Sequence, residues 1–158
     1  MLVGHLSSSI KIKFMKKFIL FLLTALVQFS LTAQSDEKDV KEVITTAYIG
    51  GIHNGGPIEN IRKGFHPTFN MLRLMENDVK PLPIEDWIKN IEANRAKQGN
   101  APISKVEGKF ISVTVAGTAA NAVLEIYRDG EKIFTDNLLL YKFTEGWRIV
   151  SKTYYRYP

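Results

Sequence analysis

The chain has no cysteine. Disulfide staples, thiolate metal sites and a cysteine nucleophile are therefore excluded, as is the lipidated cysteine by which an exported bacterial lipoprotein is tethered. Histidine is nearly as scarce, with only His53 and His66 beyond residue 33. With no HExxH pattern and no acidic cluster at ligand spacing, neither a metal nor a cofactor is expected. Gly50, Gly51, Gly55 and Gly56 do not follow a strand and open a nucleotide-binding helix, so they read as a loop. No long apolar run occurs either. The longest, Phe18 to Phe29, is about 12 residues against the roughly 20 a membrane-crossing helix needs. Repeats, low-complexity tracts and linkers are also missing.

Acidic residues are absent from the first 33 positions, which hold Lys11, Lys13, Lys16 and Lys17. The formal charge of +5 comes largely from this segment: of 21 Lys and Arg, 17 remain beyond it against 16 acids. A body so close to neutral has no general pull on nucleic acid, and none is expected as a partner. Lysines, an apolar core and small residues Thr32 and Ala33 before Gln34 are the three parts of an export signal. The expectation is a signal peptide over 1–33, cleaved after Ala33, with Met15 a possible true start. A periplasmic or secreted domain over 34–158 would result, with no membrane attachment after cleavage.

In that domain the first half has helical spacing. Ser35 can cap a helix with Asp36, Glu37 and Asp39 in its first turn, where the dipole favours acids. Val40, Val43, Ile44, Ala47, Tyr48 and Ile52 then share one face. Gly50 and Gly51 weaken its end, and His53 to Gly56 reads as a flexible loop. Pro57 opens a short second helix to about Gly64, and Pro67 forces His66 into an extended conformation. The spacing predicts a strand over Thr68 to Glu76, then a third helix from Pro83 to Gly99 with Ile84, Trp87, Ile88 and Ile91 on its buried face.

From Ser104 the period becomes two. Four antiparallel strands are predicted: Lys105 to Ala116, Ala119 to Arg128, Glu131 to Phe143 and Trp147 to Tyr157. Asp129-Gly130 is among the strongest short hairpin signals. The fold class is α+β, three N-terminal helices packed in a strongly curved antiparallel sheet. A sheet so twisted cannot close over a helix, so a cavity at its open end is expected.

The order of elements resembles the nuclear-transport-factor-2-like superfamily, a cone-shaped fold shared by ketosteroid isomerase and many polyketide cyclases. Tyr48 through Gly56, with Lys63-Gly64-Phe65-His66-Pro67, looks like the entry of its bacterial "putative lumazine-binding" branch. Thr135 through Lys142 and Gly146 through Thr153 are similar to that branch's last hairpin. The segment Asn77 to Pro83 departs from the pattern. The resemblance implies a pocket within the cone. It does not choose among isomerases, cyclases, dehydratases, binding modules and adaptors.

His66, beside the implied pocket wall, is the leading acid/base candidate; its bland reading is a side chain bonded to backbone at a tight corner. Asp136 sits among Phe134, Leu138 and Leu140, and its face depends on the last hairpin. A two-residue turn at Thr144-Glu145 places it on the side of Trp147, Ile149, Ser151 and Thr153, whereas a three-residue loop sends it to the other face. The resemblance favours the first arrangement. The bland reading of Asp136 is a carboxylate paired with Lys152 or solvated. Tyr48, Phe69, Trp87 and Trp147 are candidate pocket walls. Binding is thus expected at Tyr48, His66, Phe69, Trp87, Asp136 and Trp147, and any catalysis at His66 and Asp136. Tyr154, Tyr155, Arg156 and Tyr157 read as the edge of a homodimer interface. Three functions remain open: a binder of a small, partly apolar molecule, a proton-transferring enzyme with Tyr48 steadying an oxyanion, and an interaction module.

Overall fold

A computed structural model describes residues 34–99 and 103–158. The chain divides into Met1–Asp36 and Glu37–Pro158, and the second unit carries the elements below. The expected signal peptide lies outside the described residues. Among those residues no helix is long and apolar enough to cross a membrane.

The first helix, α1 (37–53), is α-helical at its start and π-helical over Ile44–His53. It buries Val40, Ile44, Ala47, Tyr48 and Ile49. Gly50 and Gly51, expected to weaken its end, lie within it, as does His53, expected to start a flexible loop. A Cβ on Gly51 would come 2.7 Å from Ile61 Cγ1, so close approach of the next helix is what requires glycine there. Closure at the C-terminus is wide: Asn54 N–H donates to Ile49 carbonyl, five residues back, at 3.1 Å. Arg95 donates to the Gly51 and Gly56 carbonyls at 2.8 and 3.0 Å, placing a cation at the negative end of α1. Asn54 locks the same end to the sheet by two bonds with the Val106 backbone, of 2.9 and 2.8 Å.

The short helix α2 (Ile58–Gly64) ends against α1, where a Cβ on Gly64 would lie 2.2 Å from Ala47 Cβ. Strand β1 (Phe65–Met75) follows, then β2 (Asp78–Pro83), which sequence pattern did not reveal. It is an edge strand, almost wholly exposed, and without alternating apolar residues it has no period to read. Its Pro81 and Pro83 are tolerated because one side of an edge strand makes no ladder bonds. The turn before it uses positive φ at Glu76 and Asn77 (53° and 60°), the conformation of tight hairpin turns. Helix α3 (Ile84–Gln98) comes after this hairpin and buries Ile84 and Ile88.

Strands β3 (Val106–Ala116), β4 (Ala119–Arg128), β5 (Glu131–Phe143) and β6 (Gly146–Arg156) form the predicted meander, within a residue or so of the expected bounds. The six strands make one curved sheet in the order β2-β1-β6-β5-β4-β3. Two features differ from the expected antiparallel sheet: β1 runs parallel to β6, and the strand expected before the third helix is a hairpin of β1 and β2. A parallel pair needs a long crossover, which α3 and the meander provide. The buried face presents Ala122, Leu124, Ile126, Leu138, Leu140 and Ile149 to the helices.

Candidate functional site

Register decides what enters the interior. Lys142 lies opposite Trp147 and Phe143 opposite Gly146, so the last turn has two residues, Thr144 and Glu145. Asp136, Leu138 and Leu140 therefore face inward with Trp147 and Ile149. Beyond Ile149 the expected phase fails. Leu140 pairs with Ile149 but Leu139 pairs with Ser151, so Val150 is an extra residue in β6 and the strand reverses its faces there. Lys152 and Tyr154 turn inward, and the expected Ser151 and Thr153 turn out. Ser151 instead donates to the Asn70 carbonyl on β1.

The result is a charged cluster deep inside. Asp136 is wholly buried and Lys152 is 4% exposed. Lys152 Nζ lies 2.8 Å from Asp136 Oδ1, and Tyr48 O–H donates to Asp136 Oδ2 at 2.5 Å. The ammonium is also ringed by aromatic faces, 4.5 Å from the centroid of Tyr154, 5.0 Å from Tyr48, 5.7 Å from Phe134 and 5.8 Å from Trp87. Such contacts are worth more where water is excluded, up to about 2 kcal/mol each. Burial lowers the Lys152 pKa, an effect Asp136 opposes; burial and then Asp136 push the Tyr48 phenol well up.

His53 completes the cluster. In a π-helix of roughly 4.4 residues per turn, the position five later is displaced by only about 50°, against roughly 140° in an α-helix. His53 is thereby brought edge-on to Tyr48, 4.8 Å between ring centroids, and 6.4 Å from Phe134. Burial first, then the charges of Lys152 and Arg128, lower its pKa to about 3. The imidazole is neutral at physiological pH.

Among the described residues, the buried His53 Nε2 meets no hydrogen-bond partner. Asp136 Oδ1 is satisfied by the Lys152 ammonium at 2.8 Å.

The residues expected from sequence are distributed as follows. Tyr48 and Asp136 bond to each other. Phe69 and Trp87 join them, with Trp87 6.2 Å from Tyr48 and stacked at 6.1 Å on Phe69. His66 is elsewhere: its Nδ1 bonds Thr68 Oγ1 at 2.7 Å and accepts from Thr68 N–H at 3.2 Å, and its ring stacks on Phe143 at 4.7 Å. Asp136 is held instead by Tyr48 and Lys152. Trp147 lines a separate cavity of about 360 Å³ between α1, α2 and the β5–β6 turn. Sequence reasoning missed His53, because it was read as the start of a flexible loop whereas it is the last residue of the π-helical turn. It reached Lys152 only as a counter-ion, because no sequence signal marked the bulge at Val150. Among the described residues no group of three or more His, Cys, Asp or Glu side chains could hold a metal.

A sheet curved around helices in this order defines a nuclear-transport-factor-2-like, or cystatin-like, cone. Solved structures agree. A nuclear-transport-factor-2-like protein of unknown function from Shewanella baltica OS155 is 23% identical with a TM-score of 0.61, over 77% of this chain and 93% of that one. Another, from Silicibacter pomeroyi DSS-3, is 21% identical with a TM-score of 0.61, over 76% and 94%. A domain of unknown function with a cystatin-like fold from Nostoc punctiforme PCC 73102 is 16% identical with a TM-score of 0.56, over 78% of each chain. The chain belongs to the family described as "Putative lumazine-binding", whose model matches residues 35–155. No curated protein matches it.

Proposed function

We propose that the protein binds a small, partly apolar, planar molecule inside the curve of the sheet, beside Tyr48, His53, Asp136 and Lys152, without transforming it. The unpartnered His53 Nε2, buried beside the Asp136–Lys152 pair, carries this reading. A buried polar atom left unbonded costs about 1–3 kcal/mol, so it marks a place where a ligand or water completes the bonding. Half-buried Trp87, Phe134 and Tyr154 supply the ring surface that a flat molecule would stack on. The family description and the cone fold, which commonly encloses a pocket, are consistent with it.

The acid/base alternative is less favoured because its two proposed partners are apart. His66 is held by Thr68 and Phe143, and Asp136 by Tyr48 and Lys152. Export rests on the lysine-then-apolar leader alone. Homodimerisation is proposed through the outer sheet face, where Leu139, Tyr141 and Tyr155 stand about half exposed.

Native mass spectrometry of protein purified from its own host tests both binding and dimerisation: a co-purifying molecule and a doubled subunit mass are expected. The released molecule is then titrated into a Trp147→Phe variant, in which Trp87 alone reports. Quenching that survives His66→Ala but weakens about tenfold or more in His53→Phe is expected. Equal loss in both, or no retained molecule and no Trp87 response, overturns the reading.

A further inference from the structure

The inward face of the sheet ends at a rim carrying two arginines. Phe134 of β5 turns inward, its ring centroid 5.7 Å from the Lys152 ammonium and 6.4 Å from that of His53. Arg156 of β6 is directly opposite Phe134 in register, and residues so placed share a face. Arg128 of β4 follows the buried Ile126 by two positions and is opposite the buried Val106 of β3, so it too is on the inner face, and its charge reaches His53. Both arginines are exposed, whereas Lys152 and Asp136 are buried. They therefore stand at the mouth of the curve, on either side of Phe134, whose strand runs between theirs.

Among the described residues no ion pair engages Arg128 or Arg156. Glu131, opposite Arg128 in register, forms none with it, and Asp129 accepts from the Ser104 hydroxyl at 2.8 Å. Deeper in, Asp136 offsets Lys152. After burial, the charges that act on His53 are Lys152 and Arg128, both positive. The unbonded Nε2 is thus in a positive potential, which favours an anionic group beside it. We propose that the ligand of the interior site is a planar carboxylic acid, an inference that rests on the binding reading above. Its ring lies against Trp87, Phe134 and Tyr154, and its carboxylate meets the guanidinium forks of Arg128 and Arg156, whose paired N–H donors match two oxygens. A neutral planar molecule gains the ring contacts alone.

Cinnamate and cinnamamide, planar probes of one shape that differ in charge, are titrated into the full chain by calorimetry, and Trp87 emission in Trp147→Phe places the binding in the interior. Cinnamate is expected to bind at least about tenfold tighter than cinnamamide and to lose that margin as salt is raised. In Arg128→Gln/Arg156→Gln, two exposed changes at strand ends, the probes are expected to bind alike. Equal binding of acid and amide to the parent, or a preference that survives the double change, overturns the proposal and leaves the interior binding reading standing. Binding of neither probe at about 1 mM overturns the proposal as well. The molecule retained in native mass spectrometry separates the two claims, since a neutral one overturns the acid but not the binding.

Discussion

Removing one partner of the Asp136–Lys152 pair and then both is the sharpest perturbation available. Lys152→Met keeps the length of the stem but leaves a carboxylate, wholly buried, with Tyr48 as its remaining polar contact. Asp136→Leu leaves an ammonium, 4% exposed, among four rings. Breaking a buried pair in this way costs about 3–5 kcal/mol, because the surviving charge stays out of water without its counter-ion. The rings offset part of this for the lone ammonium, so Asp136→Leu is expected at the lower end and Lys152→Met at the upper. The double variant removes both charges and restores volume with apolar groups. It should lie within about 2 kcal/mol of the parent or exceed it, although Tyr48 then loses its acceptor at about 1–3 kcal/mol. Urea unfolding followed by tryptophan emission and far-ultraviolet circular dichroism gives all four corners of the cycle. If each single change costs under about 1 kcal/mol, the pair is hydrated and the interior is not the dry charged site described. If the double variant loses the sum of the singles, the two groups act independently and their close approach has no energetic meaning.

Acid should weaken the fold through His53. Its folded pKa, about 3, lies below the usual 6.5, so between these values the unfolded chain binds the extra proton and stability rises with pH. The slope is at most about 1.4 kcal/mol per pH unit. Urea midpoints from pH 3.5 to 6.5 are expected to flatten in His53→Phe relative to the parent, and identical slopes would remove His53 as the cause. At the helix contact, Gly64→Ala places a methyl 2.2 Å from Ala47 Cβ and is expected to cost about 1–3 kcal/mol. Adding Ala47→Gly should recover part of that in thermal unfolding, whereas no recovery would place the strain elsewhere.

Sequence by itself determined the three helices, the strand β1 between the second and third, and the meander with its turns, because helical spacing, period-two alternation and turn chemistry are local. The Asp129-Gly130 hairpin, with Asp129 at φ 52° and Gly130 at 83°, could be read directly. The approach of Tyr48 and Asp136, 88 residues apart, was open only as alternatives, since it depended on the length of one turn. Three features were decided by tertiary structure alone. The exposed edge strand β2 has no apolar period and exists because β1 offers it a partner. The widened turn of α1 is paid for by packing and by Arg95 and Asn54, and it alone brings His53 to Tyr48. The bulge at Val150 turns Lys152 to Asp136, because one inserted residue exchanges the faces of all that follow in the strand. Propensity acts over a few neighbours, whereas these choices are settled by what lies across the sheet.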